Sequence, residues 1–315
     1  MKKLIKVFVI LIITLSLSGC DMFEQKEDIC IVYTNDVASE LFGDIGYAGV
    51  KGYRDYLKNE YTYVALVDAG DFFDGNVSNA TQGKAIVEIM NAVGYDVVGI
   101  GNQEFSVGLD ALKSNIADSD FDYVTCNLKY VGNGKDPLGK IEPYVIKRYG
   151  WTKVAYVGVT TPETATPGKP SYEAISEDGE LLYNFYDGDD GLELYDQVQK
   201  TVDKIRNRVD YVVVLSHLGS NSVREGFSSY DLIENTNGID VVIDGHSHTV
   251  NSGEAVFNKD GEMVVLTSTG QKLENIGILL MHPDHTFTTT LYPSVYEKDD
   301  SIEGLCWSIY SSLGY

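Results

Sequence analysis

The sequence predicts an α/β protein built on two stacked mixed sheets with helices on their outer faces. Three observations carry the prediction. Apolar, strand-like runs alternate with amphipathic segments through the first half of the chain, the pattern of parallel strands joined by helical crossovers. From about residue 141 the texture becomes strand-rich with period-two alternation, which asks for a second sheet. Each buried run also ends in a polar cluster, as strands do at the ligand-binding edge of an α/β sheet.

Residues 1–19 stand apart from the fold. Lys2, Lys3 and Lys6 precede an apolar stretch from Val7, and Leu17-Ser18-Gly19-Cys20 closes it, the layout of an export signal. A single membrane-spanning anchor is the other reading, but the stretch is short for a span and is interrupted by Thr14, Ser16 and Ser18. The ending also resembles a bacterial lipobox, which implies cleavage before Cys20 and lipidation of its sulfur. The expected product is a lipoprotein on the outer face of the cell membrane. Residues 20–29 read as an acidic tether, 30–298 as one domain and 299–315 as a C-terminal helix.

Within the domain, "CIVYTND" (30–36) is a buried run and "YAGVKGYRDYLKN" (47–59) the helix after it. "YVALVDAGD" (63–71) is the second strand, followed by a helix near 82–92. "DVVGIGNQE" (96–104) is the third, with a helix near 108–117, and "FDYVTCNL" (121–128) the fourth. "PYVIKRYGWTKVAYVGVTT" (143–161) makes two antiparallel strands through Tyr149-Gly150. A helix near 190–208 returns to "DYVVVLSHLG" (210–219) and "IDVVIDGHSH" (239–248), and the tail alternates as strands.

The formal net charge is −23, and removing Lys2, Lys3 and Lys6 with the leader takes it to −26. Such a surface repels polyanions, so a nucleic-acid groove is excluded; a small phosphate ester needs metal cations to offset the field. With Cys20 assigned to lipid, Cys30, Cys126 and Cys306 show neither a disulfide framework nor a zinc spacing. They read as small core residues, with a Cys30–Cys126 bridge as the alternative. A monomer is expected.

The polar clusters are Asn35-Asp36, Asp68 and Asp71, Asn102-Gln103-Glu104, Ser216-His217 and Asp244-Gly245-His246-Ser247-His248. Carboxylate oxygens, imidazole nitrogens and an amide oxygen at one edge make a ligand set for Mn, Fe, Zn or a similar divalent ion. Any one cluster alone is better explained as a capped turn; five at one edge are not.

"TND", "DAGD", "GNQEF", "SHLG" and "DGHSH", with "TTPET" (160–164) and "DGDDG" (187–191), resemble the ordered signature blocks of the calcineurin-like metallophosphoesterases, specifically the 5′-nucleotidase family. The resemblance implies a four-layer α/β/β/α sandwich and two metals bridged by Asp71. One would be held by Asp71, Asn102, His217 and His246. The other would be held by Asp36, Asp71, His248 and a histidine two positions after Asp36, which here is Ala38. The family's leaving-group histidine and its aspartate partner fall at Gln103 and Ser106. The helix at 299–315 resembles the connector that leads, in longer relatives, to a nucleoside-binding domain.

These departures shape the expected function. Loss of the ligand at Ala38 weakens one metal site. Gln103 can donate a hydrogen bond but cannot release a proton, and a general acid is typically worth about 10²–10⁴ in rate. The expectation is a surface-anchored phosphoesterase with weakened or redirected activity on phosphate esters, the rival being a catalytically inactive metal- and phosphate-binding lipoprotein. "DGDDG" is read as an acidic helix start and "HPDH" (282–285) as a hairpin turn.

Overall fold

The computed structural model describes residues 26–315 except 140, 189, 223 and 296; the leader and Cys20 lie outside the described residues. Chain order is β1 (Ile29–Thr34), α1 (Gly46–Glu60), β2 (Tyr63–Asp68), α2 (Asn76–Thr81), α3 (Lys84–Val93), β3 (Val97–Gly99), α4 (Gln103–Ser106), α5 (Leu109–Asp118) and β4 (Asp122–Val124). There follow β5 (Lys129–Tyr130), β6 (Tyr144–Tyr149), β7 (Thr152–Thr160), α6 (Pro170–Ile175), β8 (Ser176–Glu177), β9 (Glu180–Leu181), β10 (Tyr183–Asn184), α7 (Leu192–Ile205) and β11 (Tyr211–His217). The chain closes with α8 (Ser229–Asn235), β12 (Val241–Asp244), β13 (Val250–Phe257), β14 (Met263–Thr269), β15 (Ile276–Met281), β16 (Phe287–Tyr292) and α9 (Asp300–Ser312).

Two six-stranded sheets result, ordered β16-β15-β1-β2-β3-β4 and β13-β14-β12-β11-β7-β6. In the first, β1 to β4 run parallel and β15 pairs antiparallel with β1. In the second, β7, β11, β12 and β14 run parallel between antiparallel edges β6 and β13. The facing sides enclose one core, with Ile31, Val67 and Val97 from the first sheet meeting Val154, Val213 and Ile243 from the second. Helix residues such as Ile86, Met90 and Ile302 cover the outer face of the first sheet, and Leu194, Val198 and Leu232 that of the second. These are the four layers expected from the sequence.

Details differ from the sequence reading where glycine or a polar side chain intervenes. The helix expected near 82–92 is α3, and a short α2 precedes it that the sequence reading did not separate; Gln82 and Gly83, with φ of 52° and 83°, divide the two. The third and fourth strands are three residues each, since their polar ends run on as loops. The "DGDDG" segment runs into the start of α7, where Asp190 Oδ1 accepts from Leu192 N at 3.2 Å, while Asp187 meets Arg224 Nη1 at 3.2 Å. "HPDH" does form the β15–β16 turn, where His282 N donates to Thr286 O. Cys30, Cys126 and Cys306 are buried free thiols, with Cys30 and Cys126 in different core clusters, so the alternative of a bridge between them is discarded.

Candidate metal centre

Both sheets present the C-terminal ends of their parallel strands at one edge, and the chain reverses sharply there. Asp36, Asp71, His246 and His248 adopt left-handed backbone, with φ of 50°, 62°, 73° and 55°, as does Ala38 at 50°. None is glycine, so each conformation is strained, and such strain gathers where neighbours dictate the geometry.

Asp71, His217 and His246 each offer a ligand atom within 4.8 Å of the others. Asn102 Oδ1 and His217 Nε2 are buried with no hydrogen-bond partner, an arrangement that costs free energy unless another species fills it. His217 Nδ1 lies 2.8 Å from Ala69 O, and donating there turns Nε2 toward Asp71 Oδ2, 3.0 Å away. A Cβ on Gly101 would come within 2.2 Å of Asp71 Oδ1 and 2.8 Å of His217 Nε2, so glycine keeps the cradle open. Two buried atoms without partners, a hard-to-borderline donor set and a cleared cradle together fit a divalent ion.

Asp36 is placed differently. Its oxygens accept from His246 N at 3.0 and 3.1 Å and from Asn35 Nδ2 at 2.8 Å, and His248 Nε2 lies 3.5 Å from Oδ1. Ala38, whose N–H donates to Asp71 O at 3.0 Å, contributes no side-chain donor. Gln103 N donates to Asp71 Oδ1 at 2.8 Å, and Gln103 Oε1 accepts from Ser106 Oγ at 3.0 Å. Gln103 and Ser106 are therefore hydrogen-bonded to each other as a neutral pair.

The electrostatics follow from burial among like charges. Burial pulls the His217 ring down, but the Asp71 and Asp36 carboxylates outweigh it and push the ring up to about 10. Burial raises Asp71, yet the charge of His217 beside it and the Gln103 N–H bring it below the usual carboxylate range. Asp36 is raised, chiefly by burial and then by Asp71, against the pull of His217, Asn35 and His248. A cation at the three-residue cluster would replace the proton on His217 and relieve the carboxylate repulsion.

Several residues of the polar clusters are braces. Glu104 is fully buried and accepts from the N–H groups of Asp71 (2.9 Å), Gly101 (2.7 Å), Phe72 (2.9 Å) and Phe73 (3.1 Å). It ties the loop after β2 to the loop after β3. Burial and the Asp71 charge push it up to about 7, while the N–H groups of Asp71 and Gly101 and the His217 charge pull the other way. Asp244 accepts from Ser229 Oγ at 2.6 Å and Gly219 N at 3.1 Å, and Asn35 joins β14 to β1 through Thr269 and Gly270. Glu163 is a residue the sequence reading assigned no role. Its Oε2 lies 3.2 Å from His246 Nε2, a carboxylate–imidazole pair of the kind that orients metal-ligating histidines. Its only signal was its place in the "TTPET" block.

A cavity of about 480 Å³ opens at the cluster, walled by Asn102, Gln103, Ser106, Glu163, Lys169 and Arg224 among others. Arg224 is fixed by Asp187, by Gly188 O at 3.0 Å and by the Phe227 ring at 4.2 Å. In a chain with 47 acidic and 24 basic residues, a wall holding two cations and one carboxylate selects for anions.

The two stacked sheets and their helices form the metallophosphoesterase fold, with this cluster at the edge where the parallel strands end. Residues 61–272 match the family described as bacterial capsule synthesis protein PGA_cap, and the chain belongs to that family. The match spans Asp71, Asn102, His217, His246 and His248 but begins after Asp36. The trifunctional nucleotide phosphoesterase protein YfkN of Bacillus subtilis is 26% identical, covering 76% of this chain and 17% of that protein. The 5′-nucleotidase precursor of Thermus thermophilus shares the fold at a TM-score of 0.77 and 21% identity, covering 91% of this chain and 59% of that one. The calcineurin-like phosphoesterase YfkN structure of Bacillus subtilis does so at 0.71 and 20%, covering 91% and 98%. The chain spans between 17% and 41% of the length of the first curated relatives it matches.

Proposed function

We propose that the chain is a metal-dependent phosphoesterase, exported and held at the outer face of a bacterial membrane through lipid on Cys20. It acts on phosphate esters whose leaving group departs without help from a proton. The observation that carries this reading is the convergence of Asp71, His217 and His246, supported by the buried Asn102 Oδ1, which has no hydrogen-bond partner. These four would hold one ion, with Asp36 and His248 left as an incomplete set for a second. A divalent ion bound there offsets the negative charge of the phosphoryl oxygens and lowers the pKa of water.

The chain's own residues set the limits of the reaction. Gln103, its Oε1 held by Ser106, keeps N–H donors for a phosphate oxygen and has no proton to release. Lys169 and Arg224 in the cavity wall favour a substrate that carries negative charge beyond the scissile group. Aryl esters, activated diesters and anhydrides meet these demands better than nucleoside monophosphates. The nucleotide substrates in the relatives' names make nucleotides the natural comparison in a panel.

Metal analysis of the 21–315 fragment, loaded with Mn, Zn or Fe and assayed on phosphate esters, tests this. The expected result is turnover of bis-p-nitrophenyl phosphate that exceeds turnover of AMP and disappears on chelation. The Gln103–Ser106 pair and Ala38 favour one rival, a non-catalytic metal- and phosphate-binding lipoprotein. One equivalent of bound metal with no turnover of any ester would select it.

A further inference from the structure

The edge of the sandwich opposite the metal centre has a chemistry of its own. It is formed by the N-terminal ends of the parallel strands, where Ile29 pairs with Tyr63 and Val154 with Tyr211. The two sheets end there at one level: the Tyr63 and Tyr149 rings lie 6.2 Å apart, and Tyr211 Oη donates to His282 O at 2.6 Å. The β6–β7 turn projects from this edge and carries Trp151, 63% exposed, with Tyr61, Tyr63 and Tyr149 half-buried nearby. Indole and phenol rings, apolar in body and polar at the tip, settle at membrane–water interfaces.

The described chain also enters at this edge. Lys26 Nζ pairs with Asp210 Oδ1 at 2.5 Å, and His282 Nδ1 with Asp28 Oδ1 at 3.0 Å. Arg206 pairs with Asp240 at 2.5 Å on the same side, so Asp210 and Asp240 each meet a cation there in a chain that is strongly acidic overall. From Lys26 back to Cys20 the chain can reach at most roughly 20 Å, even fully extended.

We propose that this edge rests on the phospholipid surface that holds the Cys20 anchor, with Trp151 seated at the interface and the metal centre facing away. The inference depends on the lipid anchor put forward above. The span of nine-residue β7 sets the centre roughly 30 Å from the lipid. Lipid on Cys20 holds the chain end but does not fix how the domain lies, so an aromatic seat contributes orientation.

The two tryptophans supply the test. Trp307, 52% exposed, packs at 4.4 Å from the Phe42 ring, beyond the C-terminal end of β1 and so toward the far edge. Full-length lipidated protein, as W307F and as W151F, is reconstituted on phosphatidylglycerol–phosphatidylethanolamine vesicles with a headgroup-level spin-labelled lipid as quencher. Flotation reports the anchor, and quenching reports the orientation. Both variants should float. W307F, which retains Trp151, should shift to the blue and lose more than half its emission; W151F should keep its emission. Floating protein with Trp151 unquenched, or with both tryptophans quenched alike, overturns the orientation and leaves the anchor standing. Failure to float, with all protein in the soluble fraction, overturns the anchor and the proposed seat together.

Discussion

Substituting Glu104 with Gln tests whether the metal loops are braced as the hydrogen bonds indicate. The Glu104 carboxylate accepts from four backbone N–H groups, two on each oxygen: Asp71 and Gly101 on Oε2, Phe72 and Phe73 on Oε1. A glutamine amide in the same place has one acceptor oxygen, so whichever way it turns, its N–H₂ faces two donors. Two fully buried N–H groups then lose their partner. At about 1–3 kcal/mol for each unsatisfied buried donor, the expected loss is about 2–6 kcal/mol, a large share of the roughly 5–15 kcal/mol by which domains are stable. Urea unfolding of the 21–315 fragment followed by circular dichroism reads this directly. Because Asp71 and Asn102 ride on the two loops that Glu104 joins, metal content should fall as well. A Glu104→Gln protein within ~0.5 kcal/mol of the parent would show that the loops are held by something else.

Other outcomes follow from the same geometry. Ala38→His, Gln103→His and Ser106→Asp combined should raise kcat/KM toward p-nitrophenyl phosphate by about 10²–10⁴, the usual contribution of a general acid; no gain would mean that more than these positions has departed from the enzyme pattern. Gly101→Ala should abolish stoichiometric metal binding in elemental analysis while the circular dichroism spectrum is preserved, since the added Cβ points at Asp71 Oδ1 and His217 Nε2. Burial pushes the thiols of Cys30 and Cys126 up to about 12 and that of Cys306 up to about 11. A thiol reagent at pH 8 should therefore label none of them until the fragment is unfolded. Asp299 caps α9 by accepting from Ser301 N and Ile302 N at 3.0 Å each, and Asp299→Ala should cost about 1 kcal/mol. The hydrogen bond from the Ser301 side chain does most to hold the Asp299 carboxyl low, aided by the Ile302 N–H. The stabilisation is thus present above the unfolded carboxylate pKa and fades as pH falls through the folded value, so parent and variant should converge in acid melts.

What the sequence made legible depended on chemical rarity. An imidazole or an amide beside a carboxylate at the end of an apolar run has few structural uses, so Asp71, Asn102, His217 and His246 could be picked out. The braces could not, because a carboxylate that accepts N–H groups is written with the same letter as one that binds a cation. Glu104 and Asp244 stand in the same clusters as the candidate ligands, and only coordinates separate them. Glu163 was harder still, lying 83 positions from His246 in a turn with no periodic signal. At the level of elements, alternation predicted the sheets well, but it overran strand ends, where buried polar residues continue an apolar-looking run as loop. The short α2 left no periodic signal, since its six residues, Asn76–Thr81, hold only Val77 and Ala80 as apolar positions.

The left-handed backbone at Asp36, Asp71, His246 and His248 bears on when the centre takes its shape. These turns join strands of both sheets, so the folding that forms the sheets also sets their bent backbone. An ion would then be a passenger in a finished receptacle, unlike the zinc of a small finger domain, whose arrival is the folding event. Loading and unloading should leave the melting profile nearly two-state in form and shift only its midpoint by mass action. Ala38 shares the same bent backbone, so a side chain restored there would meet a main chain already turned to present it.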